Sequence, residues 1–143
     1  MGVVTIRPEE YQGVGKETKS VRGLSIELSL SPYDLPREVE GRLDKATAIF
    51  HIFFRYLDQE EAVPKRLNDT ITMKIGKNSG KILGFEIQVE KLGIQEIAVQ
   101  ITHAVQSEIP HLTKFNQKAN FEVIRSVLDR NKDSIFSEAA LTA

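Results

Sequence analysis

The sequence predicts an α+β protein, with a mainly antiparallel sheet of about four to five strands covered on one face by C-terminal helices. Segments with the alternation of strands fill most of residues 24–89, and segments with helical spacing follow them. Strands that cluster before helices along the chain are typical of the α+β class.

Residues 1–22 are predicted to be a flexible lead-in to a single α+β domain that spans residues 23–143. This lead-in holds three glycines and one proline, and its residues 15–20 form a polar run. Only residues 3–6 offer a possible short strand. The whole chain of 143 residues has the usual length of one domain.

The first predicted strand begins at Leu24, where leucine and isoleucine alternate with serine and glutamate up to Leu30. Two prolines within residues 31–36 end it, because proline lacks the N–H that a strand ladder needs. Residues 36–46 are open to two interpretations, since their apolar residues fit both a helix and a strand. We favour the strand.

Residues 49–57 are predicted to form a central strand, because both of its faces carry large apolar groups that an edge position would expose. The charged residues 58–67 are predicted to be a loop. Two more strands, residues 70–75 and 81–89, flank a Gly-Lys-Asn-Ser-Gly turn that favours a hairpin. A register with Met73 opposite Leu83 would collect their apolar residues on one face.

Two helices are predicted after the strands. Apolar residues recur at helical spacing from Ile94 to Ile109, where Pro110 ends the run, and a second helix begins near residues 116–120. The inner faces of all these elements supply the predicted core: Leu24, Ile26, Leu28, Phe50, Ile52, Phe54, Ile71, Met73, Leu83, Phe85, Ile87, Ile97, Ile101, Val105, Ile124 and Leu128.

The composition favours a soluble, cytoplasmic protein. No apolar stretch approaches the ~20 residues of a membrane helix, and residues 1–10 lack the apolar block of a secretory signal. The net charge of -1 gives no long-range attraction for a phosphate backbone, so no nucleic-acid partner is predicted. The absence of cysteine excludes disulfides, thiolate nucleophiles and cysteine metal sites.

Neither a cofactor nor a metal is predicted. Residues 76–81 match a phosphate-binding loop only in part, because three residues separate the glycines where four are needed, and a strand follows. The histidines at 51, 103 and 111 lack the i, i+4 spacing of a zinc motif on a helix. The acidic group in residues 58–61 is interpreted as a solvated charge run.

Residues 77–87, Lys-Asn-Ser-Gly-Lys-Ile-Leu-Gly-Phe-Glu-Ile, resemble the closing hairpin of a small prokaryotic family known as the domain of unknown function 2283. The hallmark of that family is Gly-Lys/Arg-Ile-Val-Gly-Ile-Glu-Ile, from which only Leu83 and Phe85 depart. The resemblance spans about residues 49–89. It implies a β-rich module with no established activity, and it transfers no catalytic residue.

The sequence favours a non-enzymatic module that self-associates as a homodimer or binds another protein. Strand alternation predicts a candidate interaction face of large apolar residues on the outer side of the sheet: Ile49, Phe53, Leu57 and Ile82. A symmetric dimer would bring this patch against itself. The alternative is that residues 1–22 fold back over the sheet and cover this patch.

The alternative function is a small-molecule-binding or hydrolytic α+β protein with a cleft on the sheet. Scattered polar residues can converge in such a cleft even when the sequence holds no catalytic motif. The candidate pocket residues are His51, Tyr56 and Glu86. A deep pocket that gives one of them a perturbed pKa would favour this alternative.

Overall fold

The computed structural model describes residues 3–11, 14, 17–28, 31–89 and 94–137, within which strands precede helices. The strands are β1 (Val3–Thr5), β2 (Glu17–Val21), β3 (Leu24–Leu28), β4 (Glu38–Asp44), β5 (Ile49–Arg55), β6 (Ala62–Arg66), β7 (Ile71–Gly76) and β8 (Ile82–Gln88). The helices are α1 (Ile94–Glu108), α2 (Phe115–Arg130) and the short α3 (Lys132–Ile135). The predicted α+β class is confirmed.

Six strands form one antiparallel sheet in the order β1-β4-β5-β8-β7-β6, slightly more than the sequence predicts. The strand interpretation of residues 36–46 is confirmed as β4, and β5 lies inside the sheet between β4 and β8. β2 and β3 form a separate two-stranded sheet. The helices pack on one face of the six-stranded sheet, where they enclose the core.

Most of the predicted core is confirmed, because periodicity identifies inward-facing residues without knowledge of the topology. The confirmed residues are Phe50, Ile52, Phe54, Ile71, Met73, Phe85, Ile87, Ile97, Ile101, Val105, Ile124 and Leu128. The prediction that Leu24 lies in the core is wrong. Leu24 is 69% exposed, because β3 belongs to the separate hairpin rather than to the sheet under the helices. The side chains of Ile26 and Leu28 lie outside the described part of the structure.

The lead-in predicted for residues 1–22 is corrected by the portion that the structure describes. β1 pairs with β4 at one edge of the sheet, and Ile6 and Tyr11 are buried in the core. The Tyr11 hydroxyl accepts a hydrogen bond from Asn131 Nδ2 at 3.0 Å, which ties residues 8–11 to the end of α2. The possible short strand at residues 3–6 is present as β1, but its partner strand lies more than thirty residues away in sequence, so no local pattern indicated the pairing.

The charged loop predicted for residues 58–67 is also wrong in part, because it contains β6. Every residue of β6 is exposed, and the strand pairs only along the β7 side in the sheet order. An edge strand that carries Pro64, Lys65 and Arg66 shows none of the apolar alternation of a half-buried strand. Its pairing with β7 therefore left no signal in the sequence.

A bulge in β8 changes the predicted register of the hairpin. Met73 lies opposite Phe85 rather than Leu83, a shift of two residues that keeps the same face inward. At Ile75 the register shifts again, because Ile75 pairs with Ile82 while Lys74 pairs with Gly84. The extra residue turns the side chain of Ile82 into the core, where it is 0% exposed, and leaves Leu83 half-buried.

Gly41 on β4 is a point at which the helical layer approaches the sheet closely. A Cβ atom at this position would lie 2.0 Å from the carbonyl oxygen of Ile135 and 2.7 Å from the Phe50 ring. Because the first of these atoms belongs to the backbone, a side-chain rotation cannot relieve the contact. Glycine at this position therefore allows α3 and the residues after it to pack on the sheet.

We expect Gly41→Ala to lower the free energy of unfolding by about 1–3 kcal/mol, because the new methyl group must push the backbone at Ile135 away. Urea denaturation followed by circular dichroism measures this change. Lys45→Ala, in the exposed turn that follows the same strand, is the control and should cost about 0.5 kcal/mol or less. Equal stability of the two variants would contradict the close approach.

Candidate functional site

The sheet face opposite the helices carries the second set of alternating residues of β5. Phe53 is the central aromatic group of this outer face, and it lies opposite Glu40 of β4 on one side and Gly84 of β8 on the other. One pair further along, His51 lies between Arg42 and Glu86. Strand alternation alone places these side chains on one surface.

Charged groups surround the Phe53 ring. The guanidinium carbons of Arg42 and Arg55 lie 5.7 Å and 5.6 Å from the ring centroid, within the range of a cation–π contact. The His51 ring is stacked on the same phenyl group, with centroids 5.7 Å apart and planes 5° from parallel. Glu40 accepts hydrogen bonds from both arginines, which holds the two cations beside the ring.

On the β8 side, Phe53 faces Gly84, which is buried and carries no side chain. A Cβ atom at Gly84 would lie 2.3 Å from the Ile52 carbonyl oxygen, so only glycine fits there and no side chain stands beside the ring. Lys74 pairs with Gly84 across the next strand, and its ammonium group lies 3.1 Å from the Glu86 carboxylate. The outer face therefore presents only backbone between Phe53 and the Lys74–Glu86 ion pair.

The structure brings together only part of the predicted interaction face. Ile49 and Phe53 both lie on the outer face and are half-buried. Leu57 follows the end of β5 and is 48% exposed. Ile82 is corrected to the opposite face by the bulge in β8, so the predicted patch is less apolar than the sequence suggests.

The three candidate pocket residues do not converge either. His51 and Glu86 are cross-strand neighbours on the outer face, whereas Tyr56 is buried on the side of the helices. The Tyr56 hydroxyl donates a hydrogen bond to the Ile82 carbonyl and accepts one from Asn120 Nδ2 at 3.0 Å. Tyr56 thus belongs to the packing of α2 on the sheet and to no cleft on the sheet.

Asn120 completes this buried junction, and it is 0% exposed. Its Oδ1 accepts a hydrogen bond from the Ile82 N–H at 2.8 Å, and its Nδ2 donates to the Asp34 carbonyl oxygen at 2.8 Å as well as to Tyr56. Both amide protons and the amide oxygen of Asn120 are therefore used. The network is saturated, as a structural junction requires.

Burial, together with nearby negative charges, keeps the Tyr56 phenol protonated. Burial raises the pKa of Tyr56 far above its ordinary value, and the negative charges of Asp34 and Glu60 add to this shift, while the hydrogen bond from Asn120 opposes it. The Lys81 ammonium group is 4.4 Å from the Tyr56 ring centroid and donates to the Tyr33 carbonyl oxygen at 2.9 Å. A phenol in this state cannot serve as a general base.

Glu60, from the acidic run that the sequence interprets as solvated, has a defined structural role. Its carboxylate accepts hydrogen bonds from the Ser79 hydroxyl at 2.6 Å and from the N–H groups of Asn78 and Ser79 at 2.9 and 3.0 Å. Burial alone would raise the pKa of Glu60, but these hydrogen bonds and the charge of Lys81 hold it below its ordinary value. Glu60 thus stabilises the β7–β8 turn as a carboxylate.

No family model, curated protein or solved structure matches the chain, so the resemblance to the domain of unknown function 2283 stays a prediction.

Within the described ranges, no group of three or more histidine, aspartate or glutamate side chains is placed to hold a metal ion. None of the described helices is long and apolar enough to cross a membrane.

The sequence did not indicate several residues of the outer sheet face and of the buried junction around Asn120. Arg42 and Glu40 lie on the outer face, and the alternation of β4 would have indicated this once β4 was paired with β5. Asn120 and Lys81 gave no such signal, because their partners come from distant parts of the chain. A polar residue on the apolar stripe of a helix, such as Asn120, is the only hint of a buried junction that the sequence contains.

The pKa of Glu60 predicts a pH-dependent contribution to stability. Because its pKa is lower in the folded than in the unfolded state, its contribution is present above the unfolded pKa and is lost as the pH falls through the folded pKa. At neutral pH, Glu60→Gln should lower the free energy of unfolding by about 1–2 kcal/mol, and the difference should shrink in acid.

Urea denaturation between neutral and acidic pH measures this difference. Glu61→Gln is the matched control, since Glu61 belongs to the same loop and its side chain forms an exposed ion pair with Lys77 at 3.4 Å. A Glu60→Gln effect that is independent of pH, or no larger than that of Glu61→Gln, would refute the capping role.

Proposed function

We propose that this protein is a non-enzymatic self-associating module, in which two copies meet through their outer sheet faces around a two-fold axis. The observation that carries the proposal is the composition of this face, where the half-buried Phe53 is surrounded by closely spaced charges of both signs. A surface that contains both an apolar centre and complementary charges can bind a copy of itself.

The charges support a partner of the same kind. Glu40 lies between Arg42 and Arg55, and the Lys74–Glu86 ion pair lies on the other side of Phe53. A strongly basic or acidic partner would meet like charges on this face, whereas a rotated copy can set each acidic group against a basic one. The face is therefore better suited to a second copy of the chain than to nucleic acid.

The two edges of the sheet are poor sites for association. At one edge, β1 is only three residues long. At the other edge, β6 carries Pro64, which has no N–H to donate, followed by two basic residues. Both features oppose the addition of another strand. The helices cover the inner face, so the outer face is the surface on which a second sheet can pack.

The size of the outer face is close to that of a standard interface. The six strands at about 4.8 Å spacing span about 29 Å, and their mean length is about 20 Å, which gives a face of about 600 Å². Stable complexes bury about 800 Å² per partner. We therefore expect a dimer whose population depends on protein concentration.

The alternative of a catalytic or ligand-binding cleft on the sheet has less support. Its candidate residues lie on opposite faces, and the one with the large pKa shift, Tyr56, has its hydroxyl fully hydrogen bonded. His51 and Glu86 stand side by side on the open face. A cytoplasmic location and the absence of a nucleic-acid partner stay predictions from the sequence.

Phe53→Glu should abolish the dimer, because it places a buried charge at the centre of the interface against Glu40 of either copy. Multi-angle light scattering and sedimentation velocity over a concentration series measure the association. Val99→Glu is the matched control: Val99 is 67% exposed on α1, in the helical layer, and the same substitution there should leave the dimer intact. A wild-type chain that stays monomeric at high micromolar concentration would refute the proposal.

A further inference from the structure

A groove of about 820 Å³ lies on the helical layer, on the side of the molecule that faces away from the sheet. Its walls are α1 on one side and α2 with the residues around α3 on the other. Small-molecule sites have volumes of about 300–1,000 Å³, so the groove has the size of a ligand site. On α1 its lining runs from Gln95 to Gln106, about 16 Å along the helix.

The groove combines an apolar floor with polar walls. The exposed apolar lining is Val99 on α1, which is 67% exposed, whereas Leu128 and Phe136 at the floor are almost fully buried. Polar side chains from both walls, among them His103 and Asp129, reach the groove from its exposed rim. This distribution is usual for sites that hold an apolar body and orient it through a few polar contacts.

Arg125 is the unusual residue of the groove. It is half-buried, and its Nε atom is shielded from solvent with no hydrogen-bond partner. In the described part of the chain, Arg125 makes neither a hydrogen bond nor an ion pair, although Asp129 lies one turn further along α2. Arg130, on the same helix, instead donates to the Glu10 carbonyl and lies over the Tyr11 ring. Arg125 therefore has donors available for a ligand.

The chemistry of Arg125 selects the ligand. A guanidinium group offers a planar fork of donors that matches the two oxygens of a carboxylate or of a phosphate. The carboxylates of Asp129 and Asp133 also line the groove and would repel a doubly charged phosphate more strongly than a singly charged carboxylate. The surroundings of Arg125 thus favour a monocarboxylate.

We propose that this groove binds a small organic monocarboxylate, with the carboxylate on Arg125 and the apolar body between Val99 of α1 and the floor at Leu128 and Phe136. This site is independent of the proposed dimer, because the groove and the outer sheet face lie on opposite sides of the molecule. The binding can therefore fail while the self-association holds, and the reverse is also true.

Octanoate is a suitable probe, and octanamide, which has the same apolar body without the charge, is its matched comparison. Isothermal titration calorimetry gives the affinities, and amide chemical shifts of Ala98 and Leu128 report whether the probe enters the groove. We expect octanoate to bind the wild-type chain at least ~10-fold more tightly than octanamide, and Arg125→Gln to remove this preference.

Three further measurements make the test specific. Lys132→Gln removes another cation that lines the groove. It should weaken the binding of octanoate about twofold or less, since a lysine ammonium group does not offer the planar fork of donors that a guanidinium offers. Ala98→Trp should block binding with Arg125 intact, which separates the role of the groove from any effect of Arg125 on folding. Phe53→Glu should leave octanoate binding unchanged.

Several outcomes would overturn the proposal. Equal affinity for octanoate and octanamide would remove the role of Arg125 as a carboxylate ligand. An equal loss in Lys132→Gln and Arg125→Gln would show that general positive charge, not the guanidinium fork, attracts the probe. Tighter binding of octyl phosphate than of octanoate would contradict the assignment to a monocarboxylate, and shifts confined to residues of the sheet would place the site elsewhere.

Discussion

The arrangement of sheet and helices depends on the hydrogen bonds of the Asn120 side chain. Through three hydrogen bonds it connects α2 to the start of β8, to the carbonyl of Asp34 and to the Tyr56 hydroxyl. The hydrogen bond that Asn120 accepts from the Ile82 N–H lies at the bulge, where the ladder between β7 and β8 is irregular and a backbone N–H needs another partner. The amide of Asn120 supplies that partner, so the junction and the bulge form one unit.

The two faces of the sheet present different groups because of the bulge in β8 and of two glycines. The extra residue in β8 turns Ile82 inward and so removes it from the surface around Phe53. Gly41 admits the backbone near Ile135 on the inner side, whereas Gly84 places no side chain beside Phe53 on the outer side. Backbone features of β4 and β8 therefore determine which groups the outer face presents.

The sequence predicted what depends on local periodicity and missed what depends on distant partners. The central strand, the hairpin at 76–80 and both long helices follow from alternation or helical spacing. The edge strand β6, the burial of Tyr11 and the orientation of Ile82 depend on pairing and on a bulge, which no local pattern encodes. For the same reason His51 and Phe53 could be named as candidate site residues, while Arg42 and Arg125 could not.

The protected edges of the sheet also limit the kinds of assembly that this fold permits. Edge pairing adds a strand and exposes a new edge, so it can continue without limit and produce fibres. Contact between two faces around a two-fold axis uses both surfaces at once and leaves none for a third copy. With Pro64 near the middle of one edge strand and only three residues in the other, this fold favours closed assemblies over open ones.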